Sequence, residues 1–339
     1  MSYLPVTLNH FRAVKKWADS CDALVTLDVK SFNLEVKSRN RYYTLKPRFL
    51  MLHDGKMAYT TQLVKDVTGF IGWLPYDILQ WDLSQDKLLA KNFFQSSGLK
   101  FPAAWSSLKD AEGDFLVKDS VGSFGYQIAG PYRQVEDLSL SSTQHTRRPK
   151  KEQGVEFAEL FVCGTNLKVW FWGEKAFYAN LHAYPTIVGD GLSTVQTLVE
   201  SRLGIAGKTL NIKSDEDGAI SSLAFQHVQL SDVLDQGREV WIDFRYGRRY
   251  LPTSFTAETD NNLSGVSLQV RQQIDLAGAK MAEEAMRRFK APVLYSIDGV
   301  VDAEGTVWWL EINSNPMLPP EGYQLMFSSL FGLTQKSSE

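Results

Sequence analysis

The chain has 339 residues, 44% of them apolar and 22% charged, with a formal net charge of −3. That balance suits a globular protein of two or three lobes, each large enough for its own core. The charge gives no electrostatic reason to expect nucleic acid or an anionic membrane as partner. Cys21 and Cys163 stand far apart without CxxC or histidine-rich company, so neither a disulfide framework nor a zinc site is suggested. No run approaches transmembrane length and the first residues lack a signal-peptide core, so the expected location is cytoplasmic.

In chain order, Asn9 is placed to cap a short helix carrying Phe11, Val14, Trp17 and Ala18, and residues 22–29 read as a strand. Strand-like pieces at 44–52 and 56–59 flank a turn at His53-Asp54-Gly55. This alternation predicts a small α/β lobe over 1–84, in which His10 and His53 are isolated and read as structural. Ser84-Gln85-Asp86-Lys87 opens a helix with Leu88, Leu89, Phe93 and Phe94 on its apolar side, and Gly98 sits where a left-handed cap belongs. Lys87 and Lys91 on that helix read as solvated by themselves. Residues 114–128 form an apolar strand ending in Lys118, followed by a loop with Gly122, Ser123 and Gly125, whose small residues let backbone N–H groups turn toward an anion.

Residues 139–153 are polar and aperiodic, and the basic run at 145–151 within them reads as a solvated loop. Residues 155–178 alternate acids with apolar residues before two strands joined at Gly173. A tight turn at Gly189-Asp190-Gly191 precedes a capping box from Ser193 to Gln196 that opens a further helix. Residues 238–250 read as a strand ending in Arg245, with Arg248 and Arg249 in the turn beyond, and guanidinium groups suit bidentate binding of carboxylate or phosphate. The strongest helical pattern spans 266–289, with Val270, Ile274, Ala277, Met281 and Ala285 on one stripe.

That helix delivers the chain to the stretch 295–323. Here two β-branched and aromatic runs flank the turn Asp302-Ala303-Glu304-Gly305 and predict a hairpin. Simple pairing sets Asp298 opposite Trp309, and a two-residue step puts Glu311 on the face of Asp298 as a diagonal neighbour, roughly 7–8 Å away. Asn313 continues that face. Three oxygen-bearing side chains on an otherwise apolar hairpin suit Mg²⁺, which is typically held by one or two carboxylates with substrate phosphates completing its shell.

The spacing D-G-x-x-x-x-x-G-x-x-x-x-L-E-I-N-x-x-P from Asp298 resembles the metal-binding end of the ATP-grasp superfamily, whose members join carboxylates to amines using ATP and Mg²⁺. Further motifs follow in family order over about 85–323. They imply that Lys87, with Lys91 as a second candidate, and Lys118 meet the nucleotide, and that the loop with Gly122, Ser123 and Gly125 folds over its phosphates. Glu159, Leu160, Phe161 and Val162 would form the adenine hinge and Asn166 the ribose neighbour, where many relatives carry an acid. Residues 181–199 resemble the V-G-D-G-x-S-T-V phrase of cyanophycin synthetases and fused glutathione synthetases. Two departures stand out: His182 replaces an arginine, and Ser296 stands where dipeptide-forming relatives carry another. Arg245 is the expected substitute, with Lys87 and His182 completing the catalytic candidates.

The resemblance implies an α/β (α+β) ATP-grasp fold: an N-terminal lobe at 1–84, a small nucleotide-binding lobe at 85–155, a large lobe with the metal site at 156–330, and a tail at 331–339. The implied activity is an ADP-forming carbon–nitrogen ligase working through an acyl phosphate. ATP and Mg²⁺ would be the cofactors, with Mn²⁺ as an alternative. A small carboxylate and an amine, an amino acid or short peptide, would be the partners, and a homodimer stays open. The alternatives are a phosphotransferase on the same fold and a catalytically silent nucleotide-binding module.

Overall fold

The computed structural model describes residues 3–53, 56–122, 128–136, 154–205, 212–245 and 260–332. It is a mixed α/β structure whose paired strands are antiparallel throughout the described residues. Helix α1 (Tyr3–Ser20) begins ahead of the expected cap, because Thr7, His10, Val14, Trp17 and Ala18 continue one buried stripe at helical spacing. Asn9 lies inside this helix and its side chain accepts from Arg12 Nη1 at 3.2 Å.

Strands β1 (Leu24–Leu27), β2 (Leu34–Ser38), β3 (Arg41–His53), β4 (Lys56–Thr60) and β5 (Val67–Leu74) form a five-stranded sheet. The thirteen-residue β3 is its hub, pairing with β2 through its first part and with β4 and β5 through its second. A short α2 (Asp82–Gln85) leads into α3 (Lys87–Ser96), whose N-cap is Asp86: its carboxylate accepts from the amides of Leu88 and Leu89. Gly98 closes that helix at φ +70°, the left-handed conformation expected of it.

Strands β6 (Ala104–Trp105), β7 (Phe115–Asp119), β8 (Ile128–Tyr132) and β9 (Glu156–Leu160) make a sheet in the order β6-β9-β7-β8. Next come β10 (Thr165–Trp172) and β11 (Lys175–His182), joined at Gly173. A small unit follows, built from β12 (Thr186–Val188), α4 (Val195–Ile205), α5 (Ile212–Phe225) and β13 (Glu239–Trp241) around Ile187, Val195, Leu223 and Val240. Its strand β13 ends at Trp241, ahead of the expected end at Arg245. Helix α6 (Leu268–Phe289) then leads to β14 (Leu294–Val301) and β15 (Val307–Asn313), and the site sheet runs β11-β10-β14-β15.

One face of that sheet is core. Leu167, Val169, Phe171, Tyr295, Ile297, Trp309 and Ile312 pack on Ile274, Ala277 and Met281 of α6 and on Ala90 and Phe94 of α3. Trp309 therefore lies on the face opposite to that of Asp298, and the expected pairing of these two residues is corrected. The register shifts between Asp298 and Gly299: Trp309 pairs with Gly299, Glu311 pairs directly with Asp298, and Leu310 is the extra residue of a β-bulge. Strict alternation after Trp309 would have sent Glu311 into the core. The bulge resets the phase, so that Ile312 is buried while Glu311 and Asn313 join Asp298 on the other face. Gly299 makes room for it, since a Cβ there would meet the Trp308 carbonyl at 3.0 Å and the Trp309 ring at 3.2 Å.

The last described helix, α7 (Gly322–Phe331), returns to the N-terminal sheet, where Tyr323, Met326 and Phe327 share a core with Val14, Trp17, Phe49 and Trp73. The Tyr323 hydroxyl accepts from the Trp73 amide at 2.9 Å and lies 3.0 Å from His10 Nδ1. Burial pushes His10 down from the ordinary 6.5 to about 3. Between those values the unfolded chain binds a proton that the folded chain refuses, so stability present above pH 6.5 is lost as pH falls toward 3. The expected slope from this one group is about 1.4 kcal/mol per pH unit. Urea unfolding between pH 7 and 5 should show a flatter dependence for His10→Gln, and identical slopes would remove His10 as the cause.

Candidate functional site

The face of the site sheet away from α6 carries polar side chains across all four strands. In register, His182 of β11 stands beside Asn166 of β10, Lys168 of β10 beside both Asn180 and Asp298, Asp298 beside Glu311, and Ser296 beside Asn313. Lys168 Nζ is 2.7 Å from Asp298 Oδ1, and Asn313 Nδ2 donates to Asp298 Oδ2 at 3.1 Å. Burial, and then the charge of Asp298, push Glu311 up to about 7, while Lys87, Lys118 and Lys168 act to hold it down. A desolvated carboxylate beside another carboxylate gains most from an added cation.

Among the described residues no group of three or more His, Cys, Asp or Glu side chains is placed to hold a metal. Asp298, Glu311 and Asn313 are instead two carboxylates and a carboxamide, the donor set of a hard cation that draws its remaining ligands from water and phosphate. The direct cross-strand pairing of Asp298 with Glu311 is the observation that fits such an ion, because a divalent charge held there would offset both burial and repulsion.

Lys87 lines a small cleft together with Asp86, Gly122, Glu311 and Asn313. Its Nζ donates to the carbonyls of Gly122 at 2.8 Å and Asp119 at 3.2 Å, and its backbone amide donates to Ser120. Far from being solvated, this lysine ties the start of α3 to the start of the glycine loop. Burial lowers its pKa, and Glu311 is the largest influence raising it. Gly122 has φ +139°, so it occupies a conformation open to glycine. Ser123 and Gly125 lie outside the described residues.

Lys118 and Lys91 share one carboxylate. Lys118 Nζ pairs with Glu159 Oε1, and Lys91 Nζ lies 2.6 Å from Glu159 Oε2 while also donating to the Pro102 carbonyl at 3.1 Å. All three residues are at most 5% exposed. Burial works to raise the Glu159 pKa, yet the two ammonium groups outweigh it and hold the carboxyl below its ordinary range. The Glu159 side chain is thus spent on the lysines, and the amides of Leu160 and Phe161 donate to the carbonyls of Ala103 and Asp114 at 2.9 and 2.8 Å. Phe161 packs with Leu116 and Phe244, and Tyr184 donates to the Val162 carbonyl at 3.3 Å.

Asn166 is buried, its Nδ2 donating to the Phe244 carbonyl at 2.9 Å. His182 Nε2 lies 3.6 Å from Oδ1 of the fully buried Asp260, which Tyr178 also approaches at 3.4 Å. Arg245 is held by its own neighbour: Nε and one Nη bind the two oxygens of Asp243 at 3.0 and 2.9 Å. Arg248 and Arg249 fall outside the described residues.

Of two positions that sequence reasoning missed, Lys168 joins the site and Arg48 lies just beyond it. Lys168 had a readable signal, since it alternates with Asn166 and so shares its strand face. Arg48 had none, being a single charge within an apolar strand. Fully buried, it donates to Asn315 Oδ1 and to the carbonyls of Tyr76 and Asp77, and Asn315 in turn exchanges bonds with the backbone of Leu79.

One carboxylate balancing two buried ammonium groups makes Glu159 the sensitive member of its cluster. Glu159→Gln should cost about 3–5 kcal/mol in urea unfolding because both lysines lose their counter-charge, whereas Lys91→Met should cost less because the remaining pair stays balanced. Equal losses in the two variants would contradict this division.

No family model and no curated protein matches the chain. Among solved structures it is similar to a bifunctional glutathione synthetase from Pasteurella multocida, at 12% identity over 96% of this chain and 43% of that one, with a TM-score of 0.42. It is also similar to a D-alanine–D-alanine ligase from Bacillus anthracis, at 12% identity over 73% of this chain and 64% of that one, TM-score 0.36. A third is the ATP-grasp ligase PsnB complexed with minimal precursor, at 12% identity over 74% of this chain and 60% of that one, TM-score 0.33. The chain thus spans between two fifths and two thirds of the length of these structures.

Proposed function

We propose that this chain is an ATP- and Mg²⁺-dependent carboxylate–amine ligase that forms an amide or peptide bond through an acyl phosphate, releasing ADP and phosphate. The observation that carries the reading is the adjacent pair Asp298 and Glu311 with three lysines acting on it, Lys87, Lys118 and Lys168. Paired carboxylates bind a divalent cation and the lysines bind polyphosphate, a combination that suits phosphoryl transfer.

In this reading Asp298, Glu311 and Asn313 would hold Mg²⁺, or Mn²⁺ in its place, and the ion would supply charge neutralisation at the terminal phosphates of ATP. Lys87 and Lys118 take phosphate charge, and the loop with Gly122, Ser123 and Gly125 supplies backbone donors. The main chain from Glu159 through Leu160 and Phe161 to Val162 takes the adenine, and Asn166 neighbours the ribose. A substrate carboxylate oxygen attacks the γ-phosphorus and ADP leaves. An amine then attacks the acyl carbon, phosphate leaves, and the amine proton passes to solvent. Arg245, oriented by Asp243, and His182 are the further donors proposed for charge that builds on the intermediate. No protein nucleophile is required, because alignment and preorganised charge supply the rate. The substrates are a small carboxylate and a small amine, an amino acid or short peptide.

The test is ADP and phosphate release from ATP with pairs of amino acids and short peptides, followed by product mass. Release should require a carboxylate and an amine together. ADP release with a hydroxyl acceptor and no free phosphate would establish a phosphotransferase instead. Glu311→Gln should reduce Mg²⁺-dependent turnover about 10²-fold or more while leaving the melting temperature close to that of the parent. Full activity of this variant at ordinary Mg²⁺ would overturn the metal assignment.

A further inference from the structure

Lys168 belongs to none of the sequence motifs, yet among the described residues it is the cation in contact with the carboxylate pair. It stands on β10 directly across from Asp298, with Nζ 2.7 Å from Oδ1 and only 15% of its side chain exposed. The ring centroid of Trp170, the next residue on that face, is 5.5 Å from Nζ and helps fix the stem. Asp298 Oδ2 is occupied by the Asn313 amide. Both oxygens of Asp298 are thus engaged, one of them by a full positive charge.

A divalent cation held by Asp298 and Glu311 would sit beside the ammonium that is 2.7 Å from Asp298 Oδ1. An ammonium and a metal ion repel one another and compete for carboxylate lone pairs, so each weakens the other's hold on Asp298. The ammonium sits on a flexible four-carbon stem and can exchange one anionic partner for another. Arg245 is differently placed, its Nε and one Nη being bound to Asp243.

We propose that Lys168 is the resident counter-cation of the metal site, holding Asp298 in the nucleotide-free protein and transferring its charge to the terminal phosphate when nucleotide arrives. This rests on the ligase reading above and adds an order of binding: the metal enters with the nucleotide rather than before it. Lys168 then serves two roles, keeping two neighbouring carboxylates compensated at rest and supplying, during turnover, the positive charge that Ser296 cannot.

Manganese binding to the nucleotide-free protein, followed by electron paramagnetic resonance, separates this from a purely structural role. If the ammonium occupies the oxygen about nine-tenths of the time, its removal should tighten Mn²⁺ binding about tenfold. Lys168→Met should therefore bind Mn²⁺ about tenfold more tightly than the parent without nucleotide, yet bind Mn²⁺ with ADP no better, and turn over about 10²-fold more slowly. Lys168→Gln carries the same expectation should the Met variant fail to fold. A merely structural lysine would lower the melting temperature and the turnover without tightening the metal. Unchanged Mn²⁺ affinity in nucleotide-free Lys168→Met or Lys168→Gln would overturn the proposal. Asp298→Asn is the control: if it binds Mn²⁺ with ADP as well as the parent does, the metal lies elsewhere and the ligase reading fails with its metal site, whatever Lys168 does.

Discussion

Two carboxylates held side by side on a half-buried sheet face are the constraint on which the site depends. Asp298 and Glu311 are direct cross-strand partners, an arrangement that like charges disfavour. It exists because the extra residue Leu310 turns β15 over by one position, so the strand that buries Trp309 can still present Glu311 and Asn313 outward. Without that bulge the hairpin would have to choose between its aromatic core and its acids.

The surroundings answer that charge from three directions. Lys168 reaches Asp298 from the neighbouring strand, Lys87 faces Glu311 from the first turn of α3, and Lys118 acts from the end of β7. Each lysine is itself positioned by something other than a phosphate: Lys87 by the carbonyls of Asp119 and Gly122, Lys118 by Glu159, and Glu159 by Lys91 as well. Lys87 and Lys118 are thus held in position by protein groups, which fixes where their charge lies.

The N-terminal sheet reaches into this arrangement. Arg48, buried with no exposed surface, grips Asn315 just beyond the candidate metal strand, and α7 carries the chain from there into the N-terminal core. Among the described residues the hydrogen-bond partners of Arg48 are neutral oxygens, and a guanidinium so placed is costly to desolvate. Here it joins Asn315, two residues beyond Asn313, to the carbonyls of Tyr76 and Asp77.

Several parts of this were written locally in the chain. The turn at Asp302-Ala303-Glu304-Gly305, the stripe from Val270 to Ala285, the left-handed Gly98 and the strand ending at Lys118 all follow from short-range turn chemistry and periodicity, and the structure has each of them. Asp298, Glu311 and Asn313 were legible as one face for the same reason, although the step that joined them was not: the bulge is fixed by the burial of Trp309 and Ile312 against α6, which no window around the hairpin contains. Lys168 is 130 positions from Asp298, and Lys91 is 68 from Glu159, so their pairing depends on which strands and helices become neighbours. Sequence by itself determined where the chain turns, which faces are apolar and which residue types gather at the hairpin. Only the tertiary structure decided which charges meet, because an ion pair's partner is set by register and burial across distant segments rather than by spacing along the chain.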